Sequence, residues 1–243
     1  MTAVTFQDPL WLKLKDWLKY PLEKEDMILN AQIDLIDKRF LNIQNDPYIP
    51  EPLGISSKHR YNLNLFPPED AHALNSEEIL LAINRTTDRP RLRSGKRGTI
   101  SKGRDQIVRS FEQNGIRNKN GLSSKPYILQ MKRHKFIISP EGNGIDCHRH
   151  YEAFYSKGVP VIPRNRFIKS KFCNLPVIWT DDYSEINESY LNKKYNSMLN
   201  NTYDFSFILL SRYPPPLQEV INRRSLFWMN KSAWKKKYEK YLP

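Results

Sequence analysis

Cysteine is almost missing from this chain: Cys147 and Cys173 are the only two in 243 residues. That excludes a disulfide framework and any zinc site built on cysteine. Long apolar runs are missing too. No window of about 18 apolar residues occurs, so nothing reads as a transmembrane segment. Met1 to Asp16 mix acidic and basic residues among apolar ones, which is not a secretory signal pattern. The expectation is a cytoplasmic protein in a reducing compartment. No internal repeat of solenoid length is found. A Walker loop is missing as well, because Gly95-Lys-Arg-Gly-Thr99 lacks the Gly-x4-Gly-Lys-Ser/Thr spacing.

What is present is charge of one sign. Lys and Arg number 39 against 26 Asp and Glu, a net charge of +13. Such a balance favours anionic partners: nucleotide diphosphates, nucleic acid or an acidic membrane surface. Aromatic residues make up 12%. They supply large buried areas and argue against disorder. The length allows one large domain or two small lobes.

Residues 1–45 carry helical periodicity broken at Pro21, and the prolines of 46–70 mark loop. Ile79 to Ile83 is a continuous apolar run that suits a buried parallel strand. A stretch of arginines and lysines from Arg85 to Arg104 follows, and then a helix from about Asp105 that ends at Gly115. Phe136–Ser139, Val159–Ile162 and Pro176–Trp179 give three further strands. Helices are expected over 183–199 and 203–212, a rigid break at Pro214 to Pro216, and a basic terminal helix from Leu217 to Leu242. Alternating strands and helices predict an α/β fold: a Rossmann-like parallel sheet with helices on both faces, plus a small, mostly helical N-terminal region.

The densest chemistry lies between the second and third expected strands. The apolar run stops at Ser139 and Pro140, Gly142-Asn143-Gly144 makes a tight turn, and Asp146 opens a helix that runs to Gly158. A strand-to-helix loop collects unpaired backbone N–H groups and the positive end of the helix dipole, which suits a phosphate. Arg149 and Glu152 stand three residues apart and share a helix face. An arginine fork complements a diphosphate, and a carboxylate accepts two hydrogen bonds from a ribose diol. The unit reads as a nucleotide-diphosphate clamp. By spacing alone, Arg149 and Glu152 also fit a surface ion pair.

Asp146 is expected to cap the helix through its carboxylate. The pattern Asp146, His148, His150 invites a metal, but helix positions two apart point about 200° away from each other and do not converge. His150 is a candidate for stacking or hydrogen bonding near a donor. Cys147 reads either as a small packed residue or as a thiol whose pKa the helix start lowers. Asp181 and Asp182 read as helix capping or as a divalent-ion pair. The Arg85–Arg104 stretch admits three readings: a solvated basic loop, a donor-phosphate loop, or a nucleic-acid contact. The last is disfavoured because no aromatic alternates with the charges. The tail Trp234-Lys-Lys-Lys-Tyr-Glu-Lys-Tyr241 fits a solvated helix or peripheral contact with an anionic membrane.

Ser139-Pro-Glu-Gly-Asn-Gly-Ile-Asp-Cys-His-Arg-His-Tyr-Glu-Ala153 followed by Gly158-Val-Pro-Val-Ile162 resembles the donor-site signature of exostosin-like glycosyltransferases. Leu175-Pro-Val-Ile-Trp-Thr-Asp-Asp-Tyr-Ser-Glu-Ile186 resembles the next strand and helix of that family. Ile49-Pro-Glu-Pro-Leu-Gly-Ile-Ser-Ser57 resembles its crossover between lobes. Glu141 and His150 depart from the family pattern. The resemblance implies a GT-B architecture: residues 1–75 as a reduced N-terminal lobe and crossover, 76–213 as a nucleotide-sugar-binding Rossmann-like lobe, and 214–243 as a basic C-terminal helix.

It implies a transferase that moves a sugar from a nucleoside-diphosphate sugar to an acceptor hydroxyl of a glycan, usually with inversion. The donor-binding set is then Ser139, Gly142, Asn143, Gly144, Asp146, Arg149 and Glu152, with Arg93 and Arg97 beside the diphosphate. No general base stands out, and a divalent-metal requirement stays open. Fewer than fifty residues precede the crossover, so a protein partner completing the acceptor side, or a non-catalytic nucleotide-sugar-binding module, is the alternative. A basic nucleic-acid-binding protein is the third reading.

Overall fold

The structure, a computed structural model, describes residues 27–28, 52–66, 77–83, 103–141, 146–164, 166–219 and 221. The helices expected over most of 1–45, the basic residues before Gly103 and the terminal helix beyond 221 lie outside the described residues.

The four expected strands form one parallel sheet: β1 Glu77–Leu80, β2 His134–Ile138, β3 Val159–Pro163 and β4 Ile178–Thr180, in the order β1-β2-β3-β4. Register is carried by apolar pairs such as Ile79 with Phe136, Ile138 with Val161, and Val161 with Ile178. Helices connect the strands: α1 Arg104–Gln113 and α2 Ser124–Arg133 between β1 and β2, α3 His148–Tyr155 before β3, α4 Arg166–Lys171 before β4, and α5 Glu188–Met198 after it. This is an α/β fold of Rossmann-like kind. Every residue of β2 and β3 is buried. Since successive side chains alternate between faces, both faces of the sheet are covered.

Local chemistry explains most boundaries. In α1 Ile107, Val108 and Phe111 recur at helical spacing and face the core. Gly115, at φ +80, ends that helix, with Ile116 N–H bonded to Phe111 O and Gly115 N–H to Glu112 O, the two bonds of a Schellman stop. The expected helix 183–199 is interrupted. Asp182 caps a 3₁₀ turn, Tyr183–Glu185, by accepting from Ser184 N–H at 2.9 Å, and Asn187 caps α5 by accepting from Tyr190 N–H at 2.9 Å. Two short side-chain acceptors five residues apart start two helices where the periodicity suggested one. The expected helix 203–212 is likewise two 3₁₀ turns, Ser206–Ile208 and Leu210–Arg212, with Leu209 extended between them and bridged to Met27.

The segment read as loop before β1 has structure of its own. Ser57–Leu65 is a 3₁₀ helix packed on α2, and Leu53, Ile55, Leu63 and Phe66 join the same core as the sheet. Behind α3, Phe172 meets the rings of His150, Tyr151, Phe154 and Phe207 at centroid distances of 5.4 to 6.0 Å. That aromatic cluster fixes α3 against α4. Among the described residues, no helix is long and apolar enough to cross a membrane.

Candidate functional site

Parallel strands deliver their C-terminal ends to one edge, and ligands of open α/β sheets bind outside that edge. Here the edge carries Ala82 and Ile83 beyond β1, Ser139 to Glu141 beyond β2, and the start of α3. Asn118 fixes the end of β1 by bonding both Ile83 N–H and Ile83 O at 2.9 Å. Arg104 fixes the end of β2: its Nε and a terminal nitrogen donate to Glu141 O at 3.0 and 2.8 Å. Gly142, Asn143 and Gly144, which follow Glu141, lie outside the described residues, as do Arg93 and Arg97.

Arg149 and Glu152 share a face of α3 as expected, but they form no ion pair with each other. Tyr127 of α2 sits between them, its hydroxyl accepting from Arg149 Nε at 3.4 Å and donating to Glu152 Oε2 at 2.9 Å. Arg149 also donates to Ala82 O at 2.9 Å, so its guanidinium lies against the end of β1. Glu152 is 2% exposed. Its Oε1 accepts from Ser56 N–H at 3.2 Å and faces His59 Nε2 at 3.4 Å. The crossover segment and α2 therefore close over this carboxylate.

The electrostatics follow from that enclosure. Burial alone would push the Glu152 carboxyl up, but His59, Lys58, His148 and Arg149 around it hold it below the ordinary carboxylate value. Burial works against the charge of Arg149, and Tyr127, Cys147 and Glu152 outweigh it, so the guanidinium is held more firmly protonated than usual. Burial, with Glu152 beside it, pushes the Tyr127 phenol above its normal value and keeps it a neutral donor. Burial also pulls His59 down to about 4. A neutral imidazole fits its contacts: Ser124 Oγ accepts from Asn62 Nδ2 at 3.1 Å and donates to His59 Nδ1 at 2.6 Å, which leaves Nε2–H toward Glu152.

The remaining predicted residues hold the frame. Ser139 is fully buried, and its Oγ meets His150 Nδ1 at 2.7 Å. Cys147 Sγ lies 3.5 Å from the same nitrogen. Burial raises the Cys147 thiol, but His150 and Arg149 bring it below the usual value. Asp146 does not cap α3. Cys147 occupies the cap position, its side chain making no capping bond, and Asp146 instead accepts from Tyr151 Oη at 3.0 Å and Lys171 Nζ at 2.5 Å. That Lys171–Asp146 pair is almost wholly enclosed. A buried carboxylate next to an ammonium gains more from that partner than from a backbone N–H, and this decides its direction.

His148 Nδ1 donates to Gly54 O at 2.9 Å. Asp146, His148 and His150 thus address three separate partners. Asp181 pairs with Arg164 at 2.9 Å, while Asp182 caps as expected. Among the described residues, no group of three His, Cys, Asp or Glu is placed to hold a metal ion.

Sequence reasoning did not find Ser56, Lys58, His59 or Tyr127. The contacts of Ser56, His59 and Tyr127 with α3 span 25 to 96 residues, Lys58 reaches the site through the Tyr127 ring, and no local spacing records them. No family model matches the chain, and no curated protein matches it.

Proposed function

We propose that the C-terminal edge of the sheet binds a nucleoside-diphosphate sugar and that the chain acts as a glycosyltransferase of GT-B type. The observation that supports this most is Arg149: a cation on the first turn of α3, aimed by Ala82 O and Tyr127 at the ends of two parallel strands. In this reading the guanidinium neutralises the diphosphate leaving group as charge develops on it. The α3 N–H groups and the Gly142-Asn143-Gly144 turn let the backbone approach the phosphates. In this reading Glu152, 2% exposed, receives the ribose diol once Ser56, His59 and Tyr127 have opened away from it. Arg93 and Arg97 add charge from the basic stretch. Ser139 and Asp146 hold the loop and the helix start in place.

A second reading, a nucleotide-sugar-binding module without turnover, is favoured by one observation. Glu152, the carboxylate nearest the clamp, is already engaged by Ser56, Tyr127 and His59, so a base for the acceptor hydroxyl has to come from elsewhere. A partner chain is then the source.

Calorimetry of the full chain with UDP, GDP, ADP and their sugar conjugates tests both. Arg149→Ala is expected to weaken a bound nucleoside diphosphate by about 30- to 160-fold, as loss of a charge-assisted contact worth about 2–3 kcal/mol requires. Sugar transfer or donor hydrolysis supports the transferase. Binding without either supports the module. No affinity for any of these ligands ends both readings.

A further inference from the structure

Beyond its charge acting on Glu152, Lys58 has no role in the arrangement described so far. It is exposed on the 3₁₀ helix Ser57–Leu65, and among the described residues it belongs to no ion pair. Its Nζ lies 4.6 Å from the centroid of the Tyr127 ring, the same tyrosine whose hydroxyl meets Arg149 Nε. Two cations from segments ninety residues apart are therefore gathered by one tyrosine. Like charges brought together destabilise each other unless an anion lies near.

Glu152 supplies one negative charge, and it is sealed under Ser56, His59 and Tyr127. His59, neutral, adds none. Among the described residues, one positive charge is left over. Of the two cations, Arg149 is on the first turn of α3, where backbone N–H groups lack helical acceptors, and Lys58 reaches it across the Tyr127 ring. His59 Nε2, fully buried and without a hydrogen-bond partner, faces the same carboxylate at 3.4 Å. A phosphate or diphosphate dianion balances this surplus, whereas a neutral sugar or a free base does not.

The geometry points to Lys58 as the second cation of the phosphate site, which makes the segment 52–66 part of the binding surface rather than a linker. This rests on the reading of the α3 edge as a nucleotide site and adds a ligand residue to it. Partial desolvation, opposed by Glu152 and assisted by Arg149, lowers the Lys58 pKa. An arriving phosphate would reverse that direction, because it places opposite charge beside the ammonium.

Titration of the full chain with inorganic pyrophosphate and with UDP, at about 50 and about 200 mM salt, tests the assignment. Lys58→Met is expected to weaken both ligands about tenfold and to flatten the salt dependence. Lys58→Arg restores binding to within about threefold, since a cation in that place is what counts. Lys193→Met, which removes a charge from the exposed face of α5, leaves binding unchanged. UDP binding tighter than pyrophosphate assigns the phosphates to a nucleotide, and equal affinities assign them to a free polyphosphate. Wild-type affinity in Lys58→Met, or equal losses in Lys58→Met and Lys193→Met, overturns the role of Lys58 while leaving the nucleotide reading standing. Failure of the wild-type chain to bind either ligand removes both.

Discussion

His59 shows how much a single buried group governs here. Its pKa lies near 6.5 in an unfolded chain and is pulled to about 4 in the fold, chiefly by burial. Above pH 6.5 neither state holds the proton. Between 6.5 and 4 the unfolded imidazole takes one and the folded imidazole does not, so stability declines as pH falls through that window. A shift of this size corresponds to roughly 3 kcal/mol. Glu152 acts in a lower window: its depressed carboxyl stabilises the fold above its unfolded pKa and is lost only as pH falls through the folded value. His59→Phe keeps a ring stacked on Tyr127, where the present rings lie 5.2 Å apart at 7°. Urea midpoints of the wild type should therefore drop between pH 7 and pH 4.5, and those of His59→Phe should drop much less over the same range. Equal slopes would show that His59 is not the group responsible.

At the scale of elements, α1 and α3 end in the same way with different residues. In α3 Gly158 N–H bonds Ala153 O at 2.8 Å and Lys157 N–H bonds Phe154 O at 2.9 Å, the same pair of stops found at Gly115 and Ile116. The left-handed position is Gly115 in α1 but Lys157, at φ 59, in α3. Gly158 is there for another reason. A Cβ on it would stand 2.7 Å from Ile137 Cγ1 of β2, whereas a Cβ on Gly115 would touch nothing within 4 Å.

Gly115→Ala should then cost about 1 kcal/mol, from backbone strain alone. Gly158→Ala should cost about 1–3 kcal/mol from overpacking, and its cost should fall in an Ile137→Ala background, which Gly115→Ala would not share. Chemical denaturation of the three single variants and of the two double variants with Ile137→Ala decides this. Gly158 was legible in sequence as a helix end, because glycine there is a common stop. The steric reason was not legible, since it requires knowing that Ile137 faces it. Strand positions were legible, and so was the cap at Asp182, but the helix break at Asn187 was not: apolar runs announce strands, whereas a capping side chain inside a periodic stretch competes with periodicity only once the backbone turns.

At the scale of the whole molecule, alternation of apolar runs and helical stretches was enough to foresee a parallel α/β sheet, and the strand–loop–helix unit was enough to place Arg149 at its edge. The second layer of the site was hidden. Ser56, Lys58 and His59 come from a segment whose prolines read as loop, and Tyr127 comes from α2, which no local feature marked. These residues acquire meaning only by long-range packing. The same difference of scale separates the functional readings. A net charge of +13 attracts any polyanion, whereas the proposed site, with Arg149 and Lys58 as its cations, would take only two phosphate groups. Nucleic acid spread over the basic surface through about six to ten phosphate contacts loses roughly 10³- to 10⁵-fold in affinity between 50 and 200 mM salt. A nucleoside diphosphate held by two cations should lose at most about tenfold. Parallel titrations with UDP and with a single-stranded RNA across that range separate the cases. A shallow slope for UDP, abolished by Arg149→Ala, beside a steep slope for RNA that Arg149→Ala leaves alone, places the specific chemistry at the α3 edge and the bulk charge elsewhere. Equal steep slopes would mean that the surface charge, not the clamp, selects the ligand.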